Sequence, residues 1–227
     1  MNKMFDPAQL VSSTKIGECA ETLSAALDVQ LKESHQPGGT KVLRKFAVGE
    51  VCELLGVTPD MLRNRHKNKS IPEVESDGRK HRYYSAEEID VIRKILYETT
   101  RGKGKEDFRP GRREGDPMQI ISCVNFKGGS AKTTSAAHLA HRLALRGYRV
   151  LACDLDPQAS LTTLFGYRPE IEFAEGGTIY DALRYADFDA PDGEQDHPVP
   201  LRDIIRKTYF HNLDLAPAGL LLTEYET

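Results

Sequence analysis

Apolar residues recur at spacings of three and four through Ile16, Ala20, Leu23, Leu27 and Leu31, drawing a narrow stripe along one face of a predicted helix. Such a stripe needs a partner surface, either its own domain or, because the spacing is nearly heptad, a second copy of the helix. Ser34 to Thr40, with Pro37, Gly38 and Gly39, breaks the pattern and reads as a linker. From Phe46 to Lys69 the cadence predicts a helix-turn-helix. Val48, Val51, Leu54 and Leu55 form the inner face of its first helix and Gly56 the turn. Thr58 caps the second helix, Pro59 opens it, and Met61 and Leu62 bury it. Its outward residues are Arg63, Asn64, Arg65, His66, Lys67 and Lys69, a set able to meet phosphates and base edges.

Beyond Pro72, two short extended pieces flank an Asp77-Gly78 turn, with Arg79, Lys80 and Arg82 supplying the charge of a basic wing. Ser85 then caps a helix over 86–97, with Glu87 and Glu88 in its first turn and Ile89, Ile92, Ile95 and Leu96 on its buried side. Thr99 to Pro117, with four glycines and alternating charges, reads as a flexible linker. An apolar run from Gln119 to Phe126 predicts a buried parallel strand, followed by a helix over 132–146 ending at Gly147 and a second strand near Val150. Past Gly166 the signals thin to a short helix over 178–186, an acidic loop over 187–200, a helix over 201–207 and a strand over 213–216. The pattern divides the chain into an N-terminal helix (1–36), a winged helix-turn-helix (41–98), a linker (99–117) and an α/β domain (118–227).

Composition adds sign asymmetry. The net charge of −3 over 227 residues conceals 18 Lys and Arg against 12 Asp and Glu between Lys41 and Arg113, and 5 against 14 between Leu155 and Thr227. A polyanionic partner should meet the basic front half. The four cysteines form no Cys-x-x-Cys pair, so neither a disulfide framework nor a zinc site is suggested, and His138, His141 and His211 lack metal-ligand companions. No run approaches the roughly 20 apolar residues of a membrane span, and a cytoplasmic location is expected.

The chemistry concentrates between Ile120 and Gln158. An apolar strand empties into Lys127, Gly128, Gly129, Ser130, Ala131, Lys132, Thr133 and Thr134 at the mouth of a helix, and a second strand ends in Asp154 and Asp156. Backbone N–H groups of such a loop cradle phosphate oxygens, helped by the positive end of the helix dipole. Lys132 would reach the β- and γ-phosphates of ATP, and the Thr133 hydroxyl would hold Mg²⁺. The ordinary pattern G-x-x-x-x-G-K-[ST] is not met, because Phe126 and Ala131 stand where its glycines belong. A dinucleotide-binding dehydrogenase is disfavoured, since no G-x-G-x-x-G follows the first strand.

The segment over 46–97 resembles the winged helix-turn-helix of the MerR class. Lys127, Gly128, Gly129, Lys132 and Thr133 resemble the deviant Walker A motif of the ParA and MinD ATPases, and Asp154, Asp156, Pro157 and Gln158 their A′ motif. Together these segments are similar to the larger ParA proteins with an N-terminal DNA-binding domain, such as the RepA partition proteins of repABC plasmids. The resemblance implies a doubly wound parallel sheet and weak ATP hydrolysis in an ATP-sandwich homodimer. It implies operator and nonspecific DNA binding on the nucleoid, autorepression, and a ParB-type (RepB) centromere-binding partner. It also implies that Lys127 reaches the other subunit's nucleotide, that Asp154 lies near the Mg²⁺ water shell, and that Asp156 activates the attacking water. The alternative is a nucleotide-sensing repressor without significant hydrolysis. The family's core continues into a Walker B strand that does not appear before Thr227, so this chain reads as an N-terminal portion and is expected not to show stimulated turnover.

Overall fold

The computed structural model describes residues 13–34, 41–173, 176–183 and 198–226. Most of the expected acidic loop (187–200) and most of the 34–40 linker lie outside them. The chain divides into two compact units, 1–40 and 41–227. In the first, α1 (Ser13–Ser34) covers the striped stretch, and Leu23, Leu27 and Val29 on it are exposed.

The second unit opens with β1 (Phe46–Ala47), α2 (Val48–Leu55), α3 (Pro59–Lys67), β2 (Tyr83–Tyr84) and α4 (Ala86–Thr99). Gly56 takes the left-handed conformation (φ 70°) that ends α2, and Thr58 Oγ1 accepts the Met61 N–H at 3.2 Å to start α3. At the start of α4, Ser85 Oγ accepts the Glu88 N–H while Glu88 Oε2 accepts the Ser85 N–H, a reciprocal capping box. β1 pairs antiparallel with β2, Phe46 opposite Tyr84. Phe46, Val51, Leu55, Leu62, Ile71, Tyr84, Ile89, Ile92 and Leu96 share one core.

The stretch read as a linker carries a 3₁₀ turn (Lys103–Phe108), and Phe108 is buried in that same core. Farther on, the Gly111 N–H donates to Arg146 O at 3.2 Å. There the backbones cross so closely that a Cβ on Gly111 would lie 2.5 Å from Gly147 O.

The remaining elements are α5 (Lys132–Leu145), β3 (Val150–Cys153), α6 (Ser160–Leu164), α7 (Pro169–Glu172), α8 (Ile179–Leu183), α9 (Leu201–Ile204), β4 (Arg206–Lys207), β5 (Leu213–Ala216) and a 3₁₀ stretch (Leu220–Glu226). β3 runs parallel to β5, Val150 opposite Leu213, and β4 closes the other edge of β5 antiparallel. The class is α/β with a small mixed sheet. Ala137, Ala140 and Ala144 of α5 pack against Leu161, Phe165, Phe210, Leu213 and Leu215. Small side chains on α5 let the helix lie close to the sheet.

The strand expected over 119–126 does not form. Ile120 is 82% and Phe126 105% exposed, and none of the sheet ladders includes the segment. Apolar character alone does not make a strand, because its backbone groups must join a ladder, and among the described residues this segment joins none even though β3 leaves one edge of the sheet unpaired.

Candidate nucleic-acid interface and phosphate loop

On α3, Arg63, Asn64 and Lys67 are exposed, as is Lys69 just beyond it. Arg63 is not unaccompanied, since its Nη1 pairs with Asp60 Oδ1 at 2.6 Å one turn earlier. Arg65 points elsewhere: it is half-buried, and its Nη1 donates to Thr99 Oγ1 of α4 at 2.9 Å. The wing is closed by Asp77, whose Oδ1 accepts the N–H groups of Arg79 (2.9 Å) and His81 (2.8 Å). Its left-handed residue is Lys80 (φ 64°) and not Gly78, so the turn is a longer loop than Asp-Gly alone suggests. Arg79 and Lys80 are exposed at the tip and Arg82 is half-buried at the base.

Wing and α3 face each other across a cleft of about 370 Å³, lined by Val48, Pro59, Arg63, His66, Lys80, His81, Arg82 and Tyr83 among others. Its floor is Tyr84, whose hydroxyl meets His66 Nε2 at 2.9 Å. Burial pushes the Tyr84 phenol up to about 12 and lowers the His66 pKa below the usual His value, with the Arg82 charge adding to the lowering. His66 is therefore a neutral hydrogen-bonding group near pH 7, and the positive charge of the cleft comes from Arg63, Lys80 and Arg82. His81 was missed by sequence reasoning. Its position four residues after Asp77, closing the wing, was the available signal.

In the phosphate loop, Asn125 Oδ1 accepts the Lys127 N–H at 2.9 Å, and Lys127 itself is exposed. Gly129 (φ 69°) and Ala131 (φ 60°) both take the left-handed conformation, with Ser130 between them. Ala131 is the N-cap of α5, where no side chain caps the helix and no acid stands in the first turn. The first N–H groups of α5 are thus left to an anion, with the helix dipole and the half-buried Lys132 reinforcing that preference. Thr133 is half-buried on the first turn and Thr134 exposed. The Ser130 hydroxyl is a buried polar atom without a hydrogen-bond partner in this loop.

The two acids after β3 separate sharply. Asp154 is 3% exposed; its Oδ2 accepts both the N–H (2.8 Å) and the hydroxyl (2.7 Å) of Thr162, and its Oδ1 accepts the Asp156 N–H at 3.3 Å. Thr162 Oγ1 in turn accepts the Ala218 N–H at 2.9 Å, joining the ends of β3 and β5 to α6. Burial raises the Asp154 pKa above the ordinary Asp value against the lowering by the Thr162 hydrogen bonds. Asp156 is half-buried, with Oδ1 accepting the Gln158 N–H at 3.0 Å. A hydroxyl and a carboxylate are hard oxygen donors suited to Mg²⁺ beside phosphate, and Asp156 is the acid with the more open oxygens. No group of three or more His, Cys, Asp or Glu gathers as a metal cluster among the described residues.

Two family patterns match the chain. Residues 118–227 match the AAA domain, and residues 46–104 match the MerR HTH family of regulatory proteins. A putative replication protein A of Sinorhizobium fredii is 41% identical over 211 residues, 92% of this chain and 48% of the relative. Protein SopA of Escherichia coli is 28% identical over 90% of the chain and 49% of its own length. The chromosome partitioning protein ParA of Caulobacter vibrioides is 34% identical over 49% of the chain and 36% of its own length. The chain spans about half the length of the first two relatives. Along this chain the MerR-type helix-turn-helix match precedes the AAA-domain match, and by these comparisons the chain is similar to ParA-type proteins about twice its length.

Proposed function

We propose that the chain supplies the DNA-binding and phosphate-loop portion of an ATP-dependent DNA partition protein that also represses its own operon. The observation that carries the nucleotide half is the uncapped start of α5, approached through left-handed Gly129 and Ala131, with Lys127 and Lys132 on either side and no acid in the first turn. ATP with Mg²⁺ would supply a hydrolysable γ-phosphate, and with it a switch. The chain's own part is to bind and orient: the N–H groups at the start of α5 and Lys132 hold phosphate oxygens, Thr133 offers its hydroxyl to the cation, and Asp156 holds a water. Lys127, which is exposed, would meet the nucleotide of a second subunit. DNA binding falls to the cleft, where Arg63, Lys80 and Arg82 take phosphates while Asn64 and Lys67 face outward for base edges. A ParB-type partner and nucleoid association complete the reading.

Titration of the chain with a fluorescent ATP analogue and Mg²⁺ tests it. Lys132→Ala should reduce affinity at least tenfold while duplex binding is unchanged; equal nucleotide affinity in the variant overturns the site. A second reading, a repressor that senses nucleotide without turning it over, is favoured by Asp154, whose oxygens are both committed within the fold. DNA-stimulated phosphate release by a chain extended past Thr227 would exclude it.

A further inference from the structure

Two helix C-termini converge on one buried guanidinium. Arg93 of α4 is 1% exposed, and its Nη2 donates to Leu54 O at 3.0 Å and to Leu145 O at 3.1 Å. Leu54 lies in the last turn of α2, immediately before the helix-turn-helix turn, and Leu145 is the last residue of α5, whose other end is the phosphate loop. Carbonyls at helix ends have no partner within their own helix and carry the negative end of its dipole, so one cation satisfies two such ends.

The surroundings repeat the connection. Asp90, one turn before Arg93, is buried and meets Lys94 Nζ at 2.8 Å and His211 Nε2 at 3.3 Å, the latter on the loop entering β5. Leu43 and Leu145 pack against both the helix-turn-helix core and the α5 core. The crossing of Gly111 over Gly147 closes the same side. Burial lowers the Arg93 pKa, and its Nε finds no partner. Losing either carbonyl while Arg93 stays buried would leave a desolvated cation uncompensated, a larger cost than the loss of an exposed contact.

We propose that Arg93 staples the helix-turn-helix to the phosphate-loop helix, so that the two open and respond as one body and ligand at the loop is felt at the DNA-binding face. The response to nucleotide rests on the function proposed above; the mechanical link does not. α5 is a stiff element about 21 Å long at 1.5 Å per residue over its 14 residues. Contacts at its first turn therefore bear on its last, and Arg93 passes that to α2 and the turn before α3. Arg93 is a positioning residue, and touches neither ligand.

Hydrogen exchange across a urea series on the chain, with and without Mg²⁺ and ATP, tests this. In the wild type, peptides covering α2 and α5 should share one opening, with matching urea dependence. Arg93→Met, an apolar replacement of similar length, should split them, with α2 exchanging at least tenfold faster than α5. Arg93→Lys, which keeps a charge on a shorter side chain, should split them less and remains informative if the Met variant fails to fold. Separate openings in the wild type, or an unsplit Arg93→Met, overturn the staple. With ATP and Mg²⁺, protection should extend from α5 to α2 in the wild type and stop at α5 in Arg93→Met. Protection confined to α5 in the wild type refutes the transmission alone, whereas ATP protecting neither helix refutes the nucleotide reading and leaves the urea series to decide the staple.

Discussion

Replacing Thr162 by Val removes one hydroxyl from a fully buried site and almost nothing else, since the two side chains have nearly the same shape. That hydroxyl donates to Asp154 Oδ2 at 2.7 Å and accepts the Ala218 N–H at 2.9 Å, and Ala218 is itself fully buried. A hydrogen bond to a charged acceptor contributes about 1.5–3 kcal/mol, and a buried donor left unpaired costs about 1–3 kcal/mol. Both losses come from one oxygen and partly overlap, so Thr162→Val should cost about 3–4 kcal/mol, a large fraction of the roughly 5–15 kcal/mol by which a domain is stable. Thr162→Ser keeps the hydroxyl and loses a methyl, and should cost about 1 kcal/mol. Urea unfolding followed by circular dichroism at pH 7 measures both. The folded-state pKa of Asp154 is raised, so protonation is favoured in the fold and lowering the pH through the carboxylate range relieves its burial. The Val deficit should accordingly shrink as Asp154 becomes neutral. A Val variant no less stable than the Ser variant at pH 7 would refute the brace.

Three further outcomes are expected. Lys80→Ala, on an exposed position of the wing, should reduce the slope of log affinity against log salt for duplex DNA by about 1; Arg65→Ala, tied to Thr99, should leave that slope unchanged and lower the melting temperature. Ala131 is left-handed, so Ala131→Gly should change stability by less than about 1 kcal/mol as relief of strain is offset by a freer unfolded chain. Ala131→Val, β-branched at the same φ, should cost about 2 kcal/mol or more by thermal denaturation. The hydrogen bond from Arg44, with the Ala47 N–H, lowers Glu50 to about 2. A depressed carboxylate contributes stability above its unfolded value of 4.5 and loses it as pH falls toward 2. Glu50→Gln should flatten that part of the acid unfolding curve, and an unchanged curve would count against the pair.

Local rules carried the winged helix-turn-helix half. Gly56, Thr58 and Ser85 end or start their helices as their side chains dictate, because a cap is decided within four residues. Tertiary partners decided the rest. The run over 119–126 is apolar but unpaired, and the stretch over 99–117 has a linker's composition yet buries Phe108. Arg65 and Arg93 read as surface charge by residue type alone. For Arg93 a signal did exist, since it stands four residues after Ile89 and three before Leu96, on the buried stripe of α4. Asp154 and Asp156 look equivalent in sequence, and only the burial of Thr162 tells a brace from an available acid.

The crossing of Gly111 over Gly147 bears on how such proteins can be recombined. A side chain at Gly111 would strike the opposite backbone, and one at Gly147 would come within 3.1 Å of Pro110 Cα. The seam is thus specified by missing atoms on both strands at once. A chimaera that grafts this winged segment onto another phosphate-loop domain must carry the matching glycine with it, so the two halves exchange as a pair and not as interchangeable cassettes.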